Sequence, residues 1–372
     1  MTEKNGYPAM QTRLYLPEGA LTIPQQACRY LTKDAAAAVY RMAAENRLFC
    51  ASLSGLEAAM AQGRILEATA MLCDCQTMTV TVDLGGGVRG VIPRDELLYP
   101  WDGRPARDIA AITRVGKPVQ FCVKRIARNE HGRPTAYLSR RAAQEAYIRD
   151  SLSVKRPGDL VPVRVTHLEP FGAFVDVGCG VVSLIPIDAI SVSRISHPRD
   201  RFRKGQFLPA LIRQIDTAAG RVTLTHKELL GTWAENAAMF APCRTVTGIV
   251  RSVEEYGVFV ELAPNLAGLA EYRDDVAPGA RCAVYIKSIT PERMKVKLAL
   301  IDSVDPCPDA VPGEGGDGAE MTYYLPESGH IDRWRYSPAE CPRVVETDFG
   351  AAPAEVREEA LTQNGSRACA GI

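Results

Sequence analysis

The chain has 372 residues, of which 44 are basic and 44 acidic, a formal net charge of zero and 46% hydrophobic content. No apolar run approaches the ~18 residues needed to cross a bilayer, and the opening MTEKNGYPAM lacks the charged-then-apolar profile of a secretion signal, so a cytoplasmic protein without a membrane partner is expected. Eleven cysteines, odd in number, scattered and without a C-x-x-C, argue for reduced thiols and against a disulfide framework or zinc knuckle. Charge is uneven: from Ser303 onward there are five arginines and thirteen acids, leaving 39 basic and 31 acidic groups in the first 302 residues. A mildly basic body with an acidic tail suits a polyanion partner.

In chain order, Asp34 is placed to cap AAAAVYRMAAEN and Ser54 to cap GLEAAMAQG, which predicts a helical region over residues 1–62. Residues 63–142 then alternate with period two: TMTVTVDL, a glycine turn, GVIPRDEL, VQFCVKRI and AYLS. Here Met78, Val80, Val82 and Leu84 face inward, with Thr77, Thr79, Thr81 and Asp83 outward. The run Gly85 to Gly90 satisfies G-x-G-x-x-G after a strand, but VIP continues as strand where a dinucleotide site needs a helix, so it reads as a hairpin turn. SRRAAQEAYIRDSL, residues 139–152, has helical spacing and connects to a second unit over 155–228: LVPVRV, AFVDV, VVSLIPI, a basic loop and the hairpin LIRQID-TAAG-RVTLTH. A second connector, HKELLGTWAENAAMFAPC, leads to a third unit over 243–302: TGIVRSV, YGVFVEL, LAGLAEY and the hairpin YIKSI-TPER-MKVKLAL. Residues 303–372 read as an acidic linker rich in proline and glycine, an aromatic motif whose Tyr323, Tyr324, Trp334 and Tyr336 are suited to cap a barrel or form a docking motif, and a frayed end, together a mostly flexible tail.

Five short strands per unit is the count of a small closed barrel, so a mainly β protein of three tandem five-stranded barrels with short helical connectors is expected. In AFVDV the apolar trio Ala173, Val175 and Val177 marks the core face and sends Phe174 outward with Asp176. The third unit repeats the phase: Val258, Val260 and Leu262 inward, Phe259 and Glu261 outward. Each outward ring follows a second aromatic and a glycine, Phe171-Gly172 and Tyr256-Gly257. An exposed aromatic pair at the same register in two units reads as a platform on which unstacked bases lie, with the glycine admitting a nucleotide to the backbone. The loop ISVSRISHPRDRFRK adds His197, Arg199, Arg201 and Lys204 as phosphate partners. The first unit carries threonines where the rings stand elsewhere and is expected to bind RNA poorly and to be free for docking protein.

These residues resemble the S1 RNA-binding domain, the oligonucleotide-binding barrel repeated in the bacterial ribosomal protein S1 family. The match rests on Phe171-Gly172-Ala173-Phe174-Val175, Ser196-His197-Pro198, Ile215-Asp216 and Arg221-Val222-Thr223-Leu224-Thr225 in unit two, and on Tyr256 to Phe259 with Gly268-Leu269-Ala270-Glu271 in unit three. The resemblance implies RNA contacts at Phe171, Phe174, Asp216 and Arg221, and at Tyr256, Phe259 and Lys295. Some members carry a histidine at the end of the third strand, a place held here by Pro93, Pro186 and Glu271.

No phosphate loop, no paired metal-ligand histidines and no nucleophile context occur in the sequence, so neither catalysis nor a cofactor is expected. The resulting reading is non-enzymatic binding of single-stranded RNA, messenger RNA included, in translation, with the small ribosomal subunit as a further partner. A protein-docking module and an RNA-feeding subunit of an RNA-processing assembly stay open as alternatives.

Overall fold

The structure, a computed structural model, describes residues 45–100, 107–128, 132–216, 221–304 and 321–350. It contains three closed five-stranded barrels. The first comprises β1 (Ile65–Asp74), β2 (Thr79–Asp83), β3 (Arg89–Ile92), β4 (Pro118–Arg128) and β5 (Pro134–Ser139). The second comprises β6 (Leu160–Glu169), β7 (Gly172–Asp176), β8 (Val182–Pro186), β9 (Phe207–Asp216) and β10 (Arg221–Thr225). The third comprises β11 (Thr245–Glu254), β12 (Gly257–Ala263), β13 (Leu266–Ala270), β14 (Arg281–Thr290) and β15 (Lys295–Val304). Each runs in the order first, second, third, fifth, fourth, with all neighbours antiparallel except the third and fifth strands.

Closure falls on the long first strand, which pairs with the fourth along its beginning and with the second along its end. A register shift lets it bend between those partners, between Ala70 and Leu72, Val165 and His167, and Val250 and Ser252. A second shift in the closing hairpin leaves one basic residue outside the ladder in each barrel, Lys124, Arg213 and Lys287. The inward alternation holds for Val80, Val82, Leu84, Val175, Val258 and Val260, all buried. Leu262 departs from it: β12 shifts register between Glu261 and Ala263, so Ala263 takes the core position and Leu262 is only half-buried. Gly85, Gly86 and Gly87 form the β2–β3 turn with φ of 74°, 57° and 74°, as the hairpin reading requires.

Helix α1 (Leu53–Ala61) buries Leu56 and Ala59 in the first barrel's core. Its cap is Ser52 rather than Ser54: Ser52 is extended and its hydroxyl accepts from the Gly55 amide at 3.0 Å, whereas Ser54 already lies within the helix. The Asp34 helix lies outside the described residues, and a short α2 (Asp108–Ile112) precedes β4. Helix α3 (Arg140–Tyr147), capped by Ser139, joins barrels one and two. Buried Arg140 donates to the carbonyls of Leu97 at 2.8 Å and Gly180 at 3.0 Å, Gln144 donates to Gly180 at 3.0 Å, and the Tyr147 hydroxyl donates to Val177 at 2.6 Å. The turn that follows β7 is thereby fixed against the preceding barrel.

Barrels two and three meet through Asn265, which is fully buried. Its side chain accepts from Val192 N at 2.9 Å and donates to the carbonyls of Lys227 and Gly231, each at 2.8 Å. Beside it, Arg201 donates to Glu261 at 2.5 Å, Arg251 donates to the same carboxylate at 2.7 Å, and Arg251 lies 3.5 Å from Asp200. Between the barrels, α4 (Trp233–Ala237) starts on a Thr232–Glu235 capping box.

Residues 321–350 are a folded strap across barrels two and three, which corrects the expectation of a mostly flexible tail for this stretch. The amide of Leu160 donates to Gly329 at 2.9 Å and that of Ile331 to Gly158 at 3.0 Å, so the strap runs beside the start of β6. His330 bonds Asp159 at 2.7 Å and Asp332 at 2.9 Å. Phe349 packs with Leu160, Leu211 and Leu229, and Trp334 and Tyr336 join the third barrel's core. The strap's own strands, β16 (Arg333–Arg335) and β17 (Glu346–Asp348), form a two-stranded sheet. Burial of these rings, each worth ~2 kcal/mol or more, makes the aromatic motif a cap on the barrels, one of the two roles its rings suggested.

Two predictions follow from these contacts. His226 is fully buried, with Nδ1 3.0 Å from the Ile190 carbonyl and Nε2 3.3 Å from the Tyr323 hydroxyl, and burial pushes its pKa down to about 4. The unfolded chain takes up this proton near 6.5. The fold therefore holds its full advantage above that pH and loses it as pH falls towards 4, up to ~3 kcal/mol. Denaturant unfolding should weaken between pH about 6.5 and about 5 in wild type, and His226→Asn should flatten that slope. Glu261→Gln removes the charge that neutralises Arg201 and Arg251 and should cost ~3 kcal/mol, read as a lower unfolding midpoint.

Candidate nucleic-acid interface

The aromatic pair of barrel two lies where the strand phase sends it. Phe171 is 56% exposed in the β6–β7 turn and Phe174 is half-buried on the outward face of β7. Their rings meet edge to face with centroids 5.8 Å apart and planes at 88°. In barrel three, Tyr256, 69% exposed, and Phe259 repeat this at 6.0 Å and 87°. A T-shaped pair is internally stable and leaves ring faces and edges open to a flat partner. Phe174 sits opposite His167 on one side and Leu184 on the other, and Leu184 sits opposite Thr223 of β10. The row His167, Phe174, Leu184, Thr223 is thus a continuous outward band.

The intervening glycine has another cause than access for a nucleotide. A Cβ on Gly172 would lie 2.5 Å from the Ile185 carbonyl oxygen, and one on Gly257, at φ +149°, would lie 2.4 Å from that of Ala270. The third strand's backbone occupies that space in both barrels, so glycine is required by strand packing.

Asp216 and Arg221 face each other across the closing hairpin, with Arg221 exposed on the same face as Thr223. Thr290 and Lys295 hold the corresponding positions in barrel three. The basic loop is divided. Arg199 is exposed; His197 is half-buried and spends Nδ1 accepting from the Arg199 amide at 3.1 Å. Arg201 is corrected as an RNA contact: its side chain is 4% exposed and is held by Glu261, itself 5% exposed. Glu261 does point away from its own barrel, as the alternation predicts, but into the neighbouring one. Lys204 is exposed beside Arg164 and Lys117, in the cleft between barrels one and two, which the aromatic pair does not line.

Lys297 was missed by the sequence reading. It is exposed opposite Leu269, the place Thr223 holds in barrel two, and so puts a cation on the same outward row as Phe259, one strand beyond Leu269. The signal was present as K-V-K in MKVKLAL, where alternation sends Lys295 and Lys297 to one face. Leu184 and Leu269, half-buried and 37% exposed, complete the apolar bands. Among the described residues no cluster of metal-ligating side chains occurs, and no helix is long and apolar enough to cross a membrane. In barrel one, Thr81 stands at the ring's register and accepts from Arg89 at 3.0 Å.

Residues 155–227 match the S1 RNA binding domain family. The chain is also similar to small ribosomal subunit protein bS1 of several bacteria. It is 31% identical to that of Leuconostoc lactis over 190 residues, 48% of this chain and 43% of that protein. It is 30% identical to that of Chlamydia muridarum over 165 residues, 41% of this chain and 29% of that protein. It is 26% identical to that of Rhizobium meliloti over 277 residues, 68% of this chain and 47% of that protein. The chain thus spans less than half the length of these relatives. An S1 RNA-binding domain thus lies at the centre of the chain, with a barrel of the same strand order on each side of it, and the chain is similar over part of its length to bacterial ribosomal protein S1.

Proposed function

We propose that this protein binds single-stranded RNA through barrels two and three and acts in translation, holding messenger RNA at the small ribosomal subunit in the cytoplasm. The observation that carries the reading is the exposed T-shaped aromatic pair, built at the same register in two barrels, with cations on the closing hairpin of the same barrel. Bases stack on Phe171 and Phe174, and on Tyr256 and Phe259, each contributing ~1 to 3 kcal/mol without regard to sequence. Arg221 and Arg199 in barrel two, and Lys295 and Lys297 in barrel three, take the phosphates, so affinity falls with salt. The contacts at Asn265 and Glu261 hold the two platforms together, and joining two weak sites raises the overall affinity through effective concentration. No step of this role needs a chemical transformation, and the domains proposed to carry it are residues 155–228 and 243–302.

The test is a titration of a fluorescent single-stranded RNA of about a dozen nucleotides at several salt concentrations. Wild type should bind with affinity falling as salt rises. The Phe171→Ala, Phe174→Ala variant should lose ~2 to 6 kcal/mol, and Tyr256→Ala, Phe259→Ala a comparable amount. Equal binding by wild type and both variants would reject the platforms.

A further inference from the structure

Between barrels one and two lies a cleft of 1580 Å³ whose walls come from both barrels and from the α3 connector. Arg114 and Lys117 enter it from barrel one, Lys155 from the connector, and Arg164 and Lys204 from barrel two. Of its three lining carboxylates, Asp150 pairs with Arg149, Asp159 bonds His330, and Asp176 accepts the amides of Gly178 at 2.8 Å and Gly180 at 3.1 Å and lies near both Arg140 and Arg114. The Arg114 Nε is buried without a hydrogen-bond partner among the described residues. Partial desolvation, with Arg114, Lys204 and Arg164 nearby, holds the Lys117 ammonium below its ordinary pKa, so cations from the two barrels crowd one another. Like charges that outnumber the carboxylates near them favour a site completed by an anion.

The cleft also continues the aromatic face. His167, which lines it, is the cross-strand partner of Phe174. An RNA strand stacked on Phe174 therefore reaches the cleft by crossing one strand, a spacing of ~5 Å.

We propose that the cleft between barrels one and two is a phosphodiester track, along which the RNA leaving the Phe171–Phe174 platform is gripped by its backbone at Lys117, Arg164, Lys204 and Arg114. This deepens the RNA-binding role and rests on it. It gives barrel one, which lacks the aromatic pair, a function in the same complex: it supplies half of an electrostatic wall and no base stacking. It also gives the exposed Lys204 a place on the RNA path although it is not next to the rings in the strand ladder.

The experiment uses the full chain and two single-stranded RNAs, a tetranucleotide short enough for one platform and a strand of about twelve nucleotides that reaches the cleft. The variant is Lys117→Glu with Arg164→Gln, both at exposed positions. The longer strand should bind about tenfold more weakly at moderate salt, and the slope of log affinity against log salt should shrink by roughly 1.4, the share of two phosphate contacts. Tetranucleotide binding should stay as in wild type, which also reports that barrel two is folded. Unchanged binding of the longer strand, or equal weakening of both strands, would overturn the track. Loss of tetranucleotide binding only in Phe171→Ala, Phe174→Ala keeps the platform reading separate, while failure of the wild type to bind either strand sinks both.

Discussion

Everything at the surface of these barrels follows from the need to close five short strands without leaving an edge. An open edge presents unpaired amides and carbonyls to any passing strand, and closure removes it only if one strand serves two partners. The first strand of each barrel does so, and the register shift after Ala70, Val165 and Val250 is where it turns from one partner to the other. That bend lies next to the outward aromatic in barrels two and three, so the same constraint that closes the core also presents the rings. The glycines before Phe174 and Phe259 belong to this constraint as well, because the third strand passes too close for a Cβ.

The spaces between barrels use charge differently. At the second junction, Arg201, Arg251, Glu261 and Asp200 neutralise one another and are removed from water. At the first, Lys117, Arg164 and Lys204 crowd one another, and the one carboxylate near Arg114 is Asp176, which Arg140 shares. Desolvating a charge is costly unless a counter-charge goes with it, so the first arrangement cements two barrels and the second keeps its charges for something that arrives. One basic loop supplies both, Arg201 to the cement and Lys204 to the cleft.

Legibility in the sequence divides along the same line. Period-two alternation made the strands, the core faces and the outward aromatics readable, because a strand has only two faces and a carboxylate in AFVDV decides between them. It failed at Leu262, where an extra residue in β12 resets the phase. It had nothing to say about Arg201 against Arg199, since a loop has no period and the deciding partner, Glu261, lies sixty residues away in another barrel. Lys297 was readable in principle from K-V-K but stood at a position where barrel two has Thr223. The strap was half legible: its aromatics suggested a barrel cap, while the acids and prolines around them read as solvated chain, and the apolar cluster of Leu160, Leu211 and Leu229 explains why it folds.

That strap also sets an order of events in the making of the chain. Asp159 and His330 are 171 residues apart, and His330 reaches barrel two only after barrel three has been synthesised. At ~5 to 20 residues per second, the ribosome delivers the covering segment about ten to forty seconds after barrel two's first strand. During that interval Leu160, Leu211 and Leu229 lack the Phe349 ring that covers them in the finished molecule. Barrel two can close its own ladder at once, yet its final packing belongs to a later moment of translation, when the returning segment seals it to its neighbour.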